Sequence, residues 1–111
     1  MNPRARILVV DDERSMQEFL EIFLRGEGYE VVTAGDVAAA RALVESDEFD
    51  VVVTDIQMPG GSGLDLLRAV NEIAPETMVI MITAFATTET AISAMKEGAY
   101  DYLTKPFQVD E

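Results

Sequence analysis

Five short runs rich in apolar and β-branched residues recur along the chain, and each is separated from the next by a segment of helical period. They are RILVV (Arg6 to Val10), EVVTA (Glu30 to Ala34), VVVT (Val51 to Thr54), MVIMIT (Met78 to Thr83) and YDYLT (Tyr100 to Thr104). Runs of this length that are apolar throughout, rather than alternating, suit strands buried on both faces. Strands of that kind with a helix after each predict a doubly wound α/β domain built on a parallel sheet.

The intervening segments carry helix signals. Met16, Phe19, Leu20, Phe23 and Leu24 share one helical face, and Gly26 is expected to end that helix at its C′ position. Asp36 stands where it can cap an alanine-rich helix from about Val37 to Glu45. Ser62, with Asp65 three residues on, forms the pattern of a capping box ahead of Leu64, Leu67 and Val70. That helix must be over by Pro75, and a further one runs from about Thr88 to Glu97 with Gly98 as its stop.

The 111 residues suffice for one domain, and 49% hydrophobic content suffices for a core. With no cysteine and no histidine, thiol nucleophiles, disulfides, common zinc sites and imidazole acid–base chemistry are excluded. Chemistry must use carboxylates, hydroxyls, lysine, backbone amides or a hard metal ion. A net charge of −13, from 21 acidic and 8 basic residues, argues against direct nucleic-acid contact. No apolar run is long enough to span a membrane and no leader stands at the N-terminus, so a cytoplasmic location is the expectation.

In open α/β sheets ligands bind outside the carboxyl ends of the strands, so the residues that end each strand matter most. Here they are Asp11 and Asp12, then Asp55, Thr83, and Lys105 followed by Pro106. Gathered at one edge, the three carboxylates repel each other, by roughly 4 kcal/mol for a pair about 4 Å apart at an effective dielectric near 20. Lys105 offsets one charge. The remaining acids, with oxygen ligands only, describe a Mg²⁺ site that prefers phosphate oxygens to complete its shell. Gly60, Gly61 and Gly63 leave the loop after Asp55 able to bring backbone N–H groups close.

ILVVDDE, VVVTDIQMPGGSGLDLL, MVIMITAFA and GAYDYLTKPF together resemble the successive motifs of the response-regulator receiver domain of two-component signalling. ITAFATTETAISAMKEGAYDYLTKPF is similar in detail to receivers of sigma-54-dependent activators of the NtrC type. The resemblance implies a flavodoxin-like sheet of order 2-1-3-4-5 and a Mg²⁺ held by Asp11, Asp12, Asp55 and the backbone carbonyl of Gln57. It makes Asp55 the phospho-acceptor, Lys105 the phosphoryl contact, Thr83 the switch hydroxyl and Tyr102 the switch aromatic, with a cis bond before Pro106. Gln57 and Phe85 would tune water access; Met58 and Met81 are expected in the core. A sensor histidine kinase is the implied partner, transcription regulation the implied output, and a homodimer through the fourth helix, fifth strand and fifth helix a further implication.

Three other readings compete. A haloacid-dehalogenase-type phosphatase wants a second acid two residues after its nucleophile, where this chain has Gln57, and there is no room for a cap. A flavodoxin-like FMN domain wants a hydroxyl- or glycine-rich loop after the first strand, where this chain has DDER. A receiver by ancestry alone, never phosphorylated, is disfavoured because no key position is missing. Residues 1–111 are read as a receiver whose fifth helix is largely missing, since five residues follow Pro106. Exposed apolar sheet surface, reduced stability or association is expected to result.

Overall fold

The computed structural model describes residues 5–58, 60–83 and 88–104. Its strands and helices follow in the order β1 (Arg6–Val10), α1 (Arg14–Gly26), β2 (Glu30–Ala34), α2 (Val37–Ser46), β3 (Val51–Asp55), β4 (Gln57–Met58), β5 (Gly61–Ser62), α3 (Gly63–Ile73), β6 (Met78–Thr83), α4 (Thr88–Lys96) and β7 (Asp101–Thr104). Five strands make one parallel sheet in the order β2-β1-β3-β6-β7. This is the expected 2-1-3-4-5 order, with the first crossover running outward and the others returning past β1.

The two sheet faces are covered unequally. On one, Leu8, Val10, Val52, Val79 and Met81 pack with Ala40 and Val44 of α2, Leu66, Leu67 and Val70 of α3, and Ala94 of α4. On the other, Ile7, Val9, Val31 and Ile82 pack with Leu20 of α1. Among the described residues α1 is the one helix on this second face, so Val51, Val53 and Ile80 stay half-buried. Leu103, whose register partner is Ile82, is 42% exposed. Helices thus pack on both faces, as expected, with the second face covered by α1 over β1 and β2 and left partly exposed toward β7. Residues 105–111 lie outside the described residues.

The helix ends show where side chains and glycines do the work. Asp36 accepts from Ala39 N–H at 2.7 Å. Ser62 Oγ accepts from Leu64 N–H at 2.9 Å while the Asp65 carboxylate accepts from Ser62 N–H at 3.3 Å, the reciprocal cap read from the sequence. One assignment moves: Gly26 is the last residue of α1, and the left-handed C′ position belongs to Gly28 at φ +98. Gly28 N–H donates to Arg25 O and Tyr29 N–H to Leu24 O, closing a Schellman motif two residues later than expected. The last strand also begins one residue later, at Asp101.

The loop after β3 holds the β4–β5 hairpin, which pairs Gln57 with Ser62 and Met58 with Gly61. Two-residue strands leave no periodic pattern, so the sequence gives no sign of them. Gly63 then enters α3 hard against the end of β3. A Cβ at Gly63 would overlap the Asp55 carbonyl oxygen and lie 3.0 Å from Ile56 Cα. Its N–H donates to Ile56 O at 2.7 Å. The glycine is required by close approach, and its amide is spent inside the loop rather than offered to a ligand.

At the opposite edge of the sheet Arg6 collects several contacts. Its guanidinium pairs with Glu30 at 3.2 Å and with Asp47, donates to Glu48 O at 3.2 Å, and lies 5.1 Å from the Phe49 ring centroid. The hydrogen bond from Arg6 holds Asp47 below its ordinary value of 3.8.

Gly63→Ala is expected to destabilise the fold by at least about 2 kcal/mol, because backbone rather than a side chain must yield. A urea midpoint unchanged from wild type would show that the loop relaxes freely. For Asp47 the depressed value means that stabilisation is complete above 3.8 and fades as pH falls through the lower folded value. The melting-temperature difference between wild type and Asp47→Asn is therefore expected to be constant from about pH 6 to 8 and to shrink progressively as the pH falls below 3.8. A difference that persists in acid would place its origin elsewhere.

Candidate functional site

Parallel register builds the site. Val10 pairs with Thr54 at the carboxyl ends of β1 and β3, so the next residues, Asp11 and Asp55, emerge side by side. Both ends are pinned: Asp11 N–H continues the ladder to Ala34 O at 3.1 Å, and Ile56 N–H continues it to Ile82 O at 3.1 Å. Asp11 is fully buried and Asp55 is 7% exposed, whereas Asp12 is exposed. One carboxylate oxygen from each of the three lies within 4.8 Å of the others. At that separation each pair repels by roughly 3 to 4 kcal/mol with an effective dielectric near 20.

Several donors hold the acids in position. Asp11 Oδ1 accepts from Glu13 N–H at 2.9 Å, and the Asp11 carbonyl accepts from Gln17 Nε2 at 2.7 Å. Asp55 Oδ1 accepts from Gln57 N–H at 3.2 Å, which limits rotation of that carboxylate. The Asp55 carbonyl accepts from the buried Thr54 hydroxyl at 3.0 Å. Amide hydrogen bonds orient these carboxylates. Three acids offering oxygen ligands to one point fit a hard divalent cation, which prefers such ligands to nitrogen or sulfur.

Thr83 closes β6 and is 2% exposed. Asp55 pairs with Ile82, so Thr83 stands one register position beyond the acid on the neighbouring strand. Tyr102 of β7 pairs with Met81 and packs, half-buried, on the sheet face that carries α2, α3 and α4. Met81 and Thr83 alternate onto that same face. Met58 and Met81 are core residues, as expected. Lys105, Pro106 and Phe85 lie outside the described residues.

Gln17 and Thr54 act on the site and escaped the sequence reading. Gln17 reads as one more polar residue early in a helix, and only its reach back to the strand end reveals its task. Elsewhere, a recess of about 920 Å³ lies at the opposite edge of the sheet, lined by Arg6, Asp47, Phe49, Pro75 and Thr77 among others. No acid of the strand-end cluster borders it, so it is separate from that cluster. No helix of the described residues is long and apolar enough to cross a membrane.

Comparison with known proteins agrees with this geometry. The model of the response regulator receiver domain matches residues 7–111. The response regulator protein PilR of Pseudomonas aeruginosa is 45% identical over 103 residues, covering 93% of this chain and 23% of PilR. The DNA-binding transcriptional regulator NtrC of Escherichia coli is 40% identical over 108 residues, covering 97% of this chain and 23% of NtrC. Among solved structures, the beryllofluoride-activated NtrC4 receiver domain dimer superposes with a TM-score of 0.89 at 40% identity, covering 95% of this chain and 87% of that one. The chain thus spans about a quarter of the length of these two curated relatives. It belongs to the response regulator receiver domain family, and its relatives include NtrC-type regulators.

Proposed function

We propose that the chain accepts a phosphoryl group on Asp55 from a sensor histidine kinase and converts it into a conformational signal for an output domain that regulates transcription. The observation that carries this reading is the convergence of Asp11, Asp12 and Asp55 within 4.8 Å at the carboxyl ends of β1 and β3. Mg²⁺ would be held by the three carboxylates with the Gln57 backbone carbonyl. Bound there, it neutralises charge on the phosphoryl oxygens.

The remaining steps belong to the chain's own groups. A carboxylate oxygen of Asp55 forms the new P–O bond as the P–N bond of a phosphohistidine breaks, and the imidazole leaves with the electron pair and takes up a proton. Gln57 N–H orients the attacking carboxylate. Lys105 contacts the transferred group, a role carried by its position in the KPF motif. The domain therefore catalyses its own phosphorylation and a slower hydrolysis, while its product is a signal. This happens in the cytoplasm, where its kinase presents the phosphohistidine.

Phosphorylation adds about −1.5 to −2 charges and new acceptor oxygens one strand away from Thr83. Thr83 donates its hydroxyl to one of them, and Tyr102, on the same face, repacks into the space released. The result is a shift between two existing arrangements of α4 and β7 rather than a new fold. Dimerisation through the α4 and β7 face is the accompanying assembly.

Incubation with acetyl phosphate and Mg²⁺ is expected to add a single adduct of ~80 Da, one phosphoryl group, measured by intact mass. Asp55→Asn and chelation of the metal should each abolish it; an adduct surviving in Asp55→Asn would move the acceptor elsewhere. Mg²⁺ alone should raise the melting temperature of the wild type by mass action. Asp12→Ala is expected to raise the Mg²⁺ concentration needed for that shift by about tenfold or more, as loss of a charged ligand should. An unchanged titration would remove Asp12 from the ligand set.

A further inference from the structure

Three polar contacts converge on the end of α4. Glu97, its C-cap residue, accepts from Arg68 Nε at 2.7 Å and from Arg68 Nη2 at 2.6 Å, a two-pronged ion pair. The Glu97 carbonyl also accepts from Asn71 Nδ2 at 2.7 Å. Both donors sit on α3. Arg68 is braced in turn by Asp65 on its own helix, 3.3 Å from Nη1.

The backbone there is equally defined. Gly98 adopts φ +101, its N–H donates to Met95 O at 3.1 Å, and Ala99 N–H donates to Ala94 O at 3.0 Å. The last carbonyls of a helix have no partner within it. Asn71 adds a donor from a neighbouring helix just past that end. The pairing also sets Glu97 below the usual carboxylate range, with Arg68 raised in return.

The described side chains in the rest of α4 add little to the core. Among its described side chains Ala94 alone is buried, while Ile92 and Met95 are each 48% exposed. By contrast α3 buries Leu66, Leu67 and Val70 completely. Where the described side chains bury little apolar surface, as from Ile92 to Lys96, local stability is low, so the directional contacts just past Lys96 have a large say in how that end moves.

We infer that the Arg68–Glu97 fork, with Asn71, pins the C-terminal end of α4 to α3 and makes that end the pivot about which α4 reorients when the strand-end site is charged, an inference that rests on the phospho-acceptor reading. Thr83 and Tyr102 occupy the sheet face that α4 shares, and α4 begins five residues after Thr83. With its far end pinned, a change at Thr83 becomes a tilt. Without the pin, α4 slides and frays, and the same change yields no defined new face. Arginine matters here for its planar fork, which lysine lacks.

The test has two arms. In the first, amide hydrogen exchange is measured on unphosphorylated wild type, Arg68→Ala, Arg68→Lys and the charge-reversed pair Arg68→Glu with Glu97→Arg. Exchange at Glu97, Gly98 and Ala99 is expected to quicken by about fivefold in Arg68→Ala, nearly as much in Arg68→Lys, and to return toward wild type in the reversed pair. Amides of β1, β3 and α3 should not change. No effect in α4, or an equal effect throughout the sheet, overturns the latch.

In the second arm, wild type is phosphorylated with acetyl phosphate and Mg²⁺, checked by intact mass, and followed by amide chemical shifts. Large shifts in the first turn of α4 with small ones at Glu97 to Ala99 support the pivot; equal shifts along α4 overturn it. If wild type takes up no phosphate, the phospho-acceptor reading and the pivot both fail, while the latch stands or falls on the first arm.

Discussion

The parallel pairing of β1 with β3 is the contact on which the whole site depends. Val10 stands opposite Thr54 and the residue after each is an aspartate, so the backbone ladder delivers the two carboxylates to one point. A slip of one residue would turn every side chain of the strand to the other face, exchanging Leu8 and Val10 with Ile7 and Val9 in two cores of different shape, which close packing opposes. Hydrophobic burial thus opposes the repulsion among Asp11, Asp12 and Asp55. The acids are held together by a core that has no use for their charge.

From that edge the molecule divides into a firm part and a lightly held part. The β3 end, the hairpin after it and the first turn of α3 are tied by Gly63, by the Ser62 and Asp65 cap and by the Thr54 hydroxyl. Downstream, the described side chains of α4 bury little surface, and the end of that helix is moored to α3 by Arg68 and Asn71. A phosphoryl group on Asp55 would sit at the boundary between the two. Under the proposed reading, the part that holds the chemistry steady follows β3 and the part that responds follows β6, its neighbour in the sheet.

Much of this was legible in the chain. Continuous apolar runs marked all five sheet strands to within a residue, since burial on both faces leaves a signal that needs no partner to be seen. The caps at Asp36 and at Ser62 with Asp65 were legible because they act across three residues. What escaped was either very short or very distant. The β4–β5 hairpin has too few residues to carry a period. Gln17 reaches six residues back to Asp11, and Arg68 reaches 29 residues forward to Glu97, and neither polar side chain differs in sequence from a solvated one. At Gly26 and Gly28 two glycines stood two apart, and only the backbone angle distinguishes the one that reverses the chain.

Gly63 has a consequence beyond stability. With its α-carbon packed against the Asp55 carbonyl and its amide bonded to Ile56, the start of α3 and the end of β3 behave as one solid piece. Any displacement elsewhere in the domain can be measured against it. The Asp55 carboxylate is mounted on the molecule's own frame of reference, so under the proposed reading a phosphoryl group placed there would be registered as motion of other elements relative to a stationary origin.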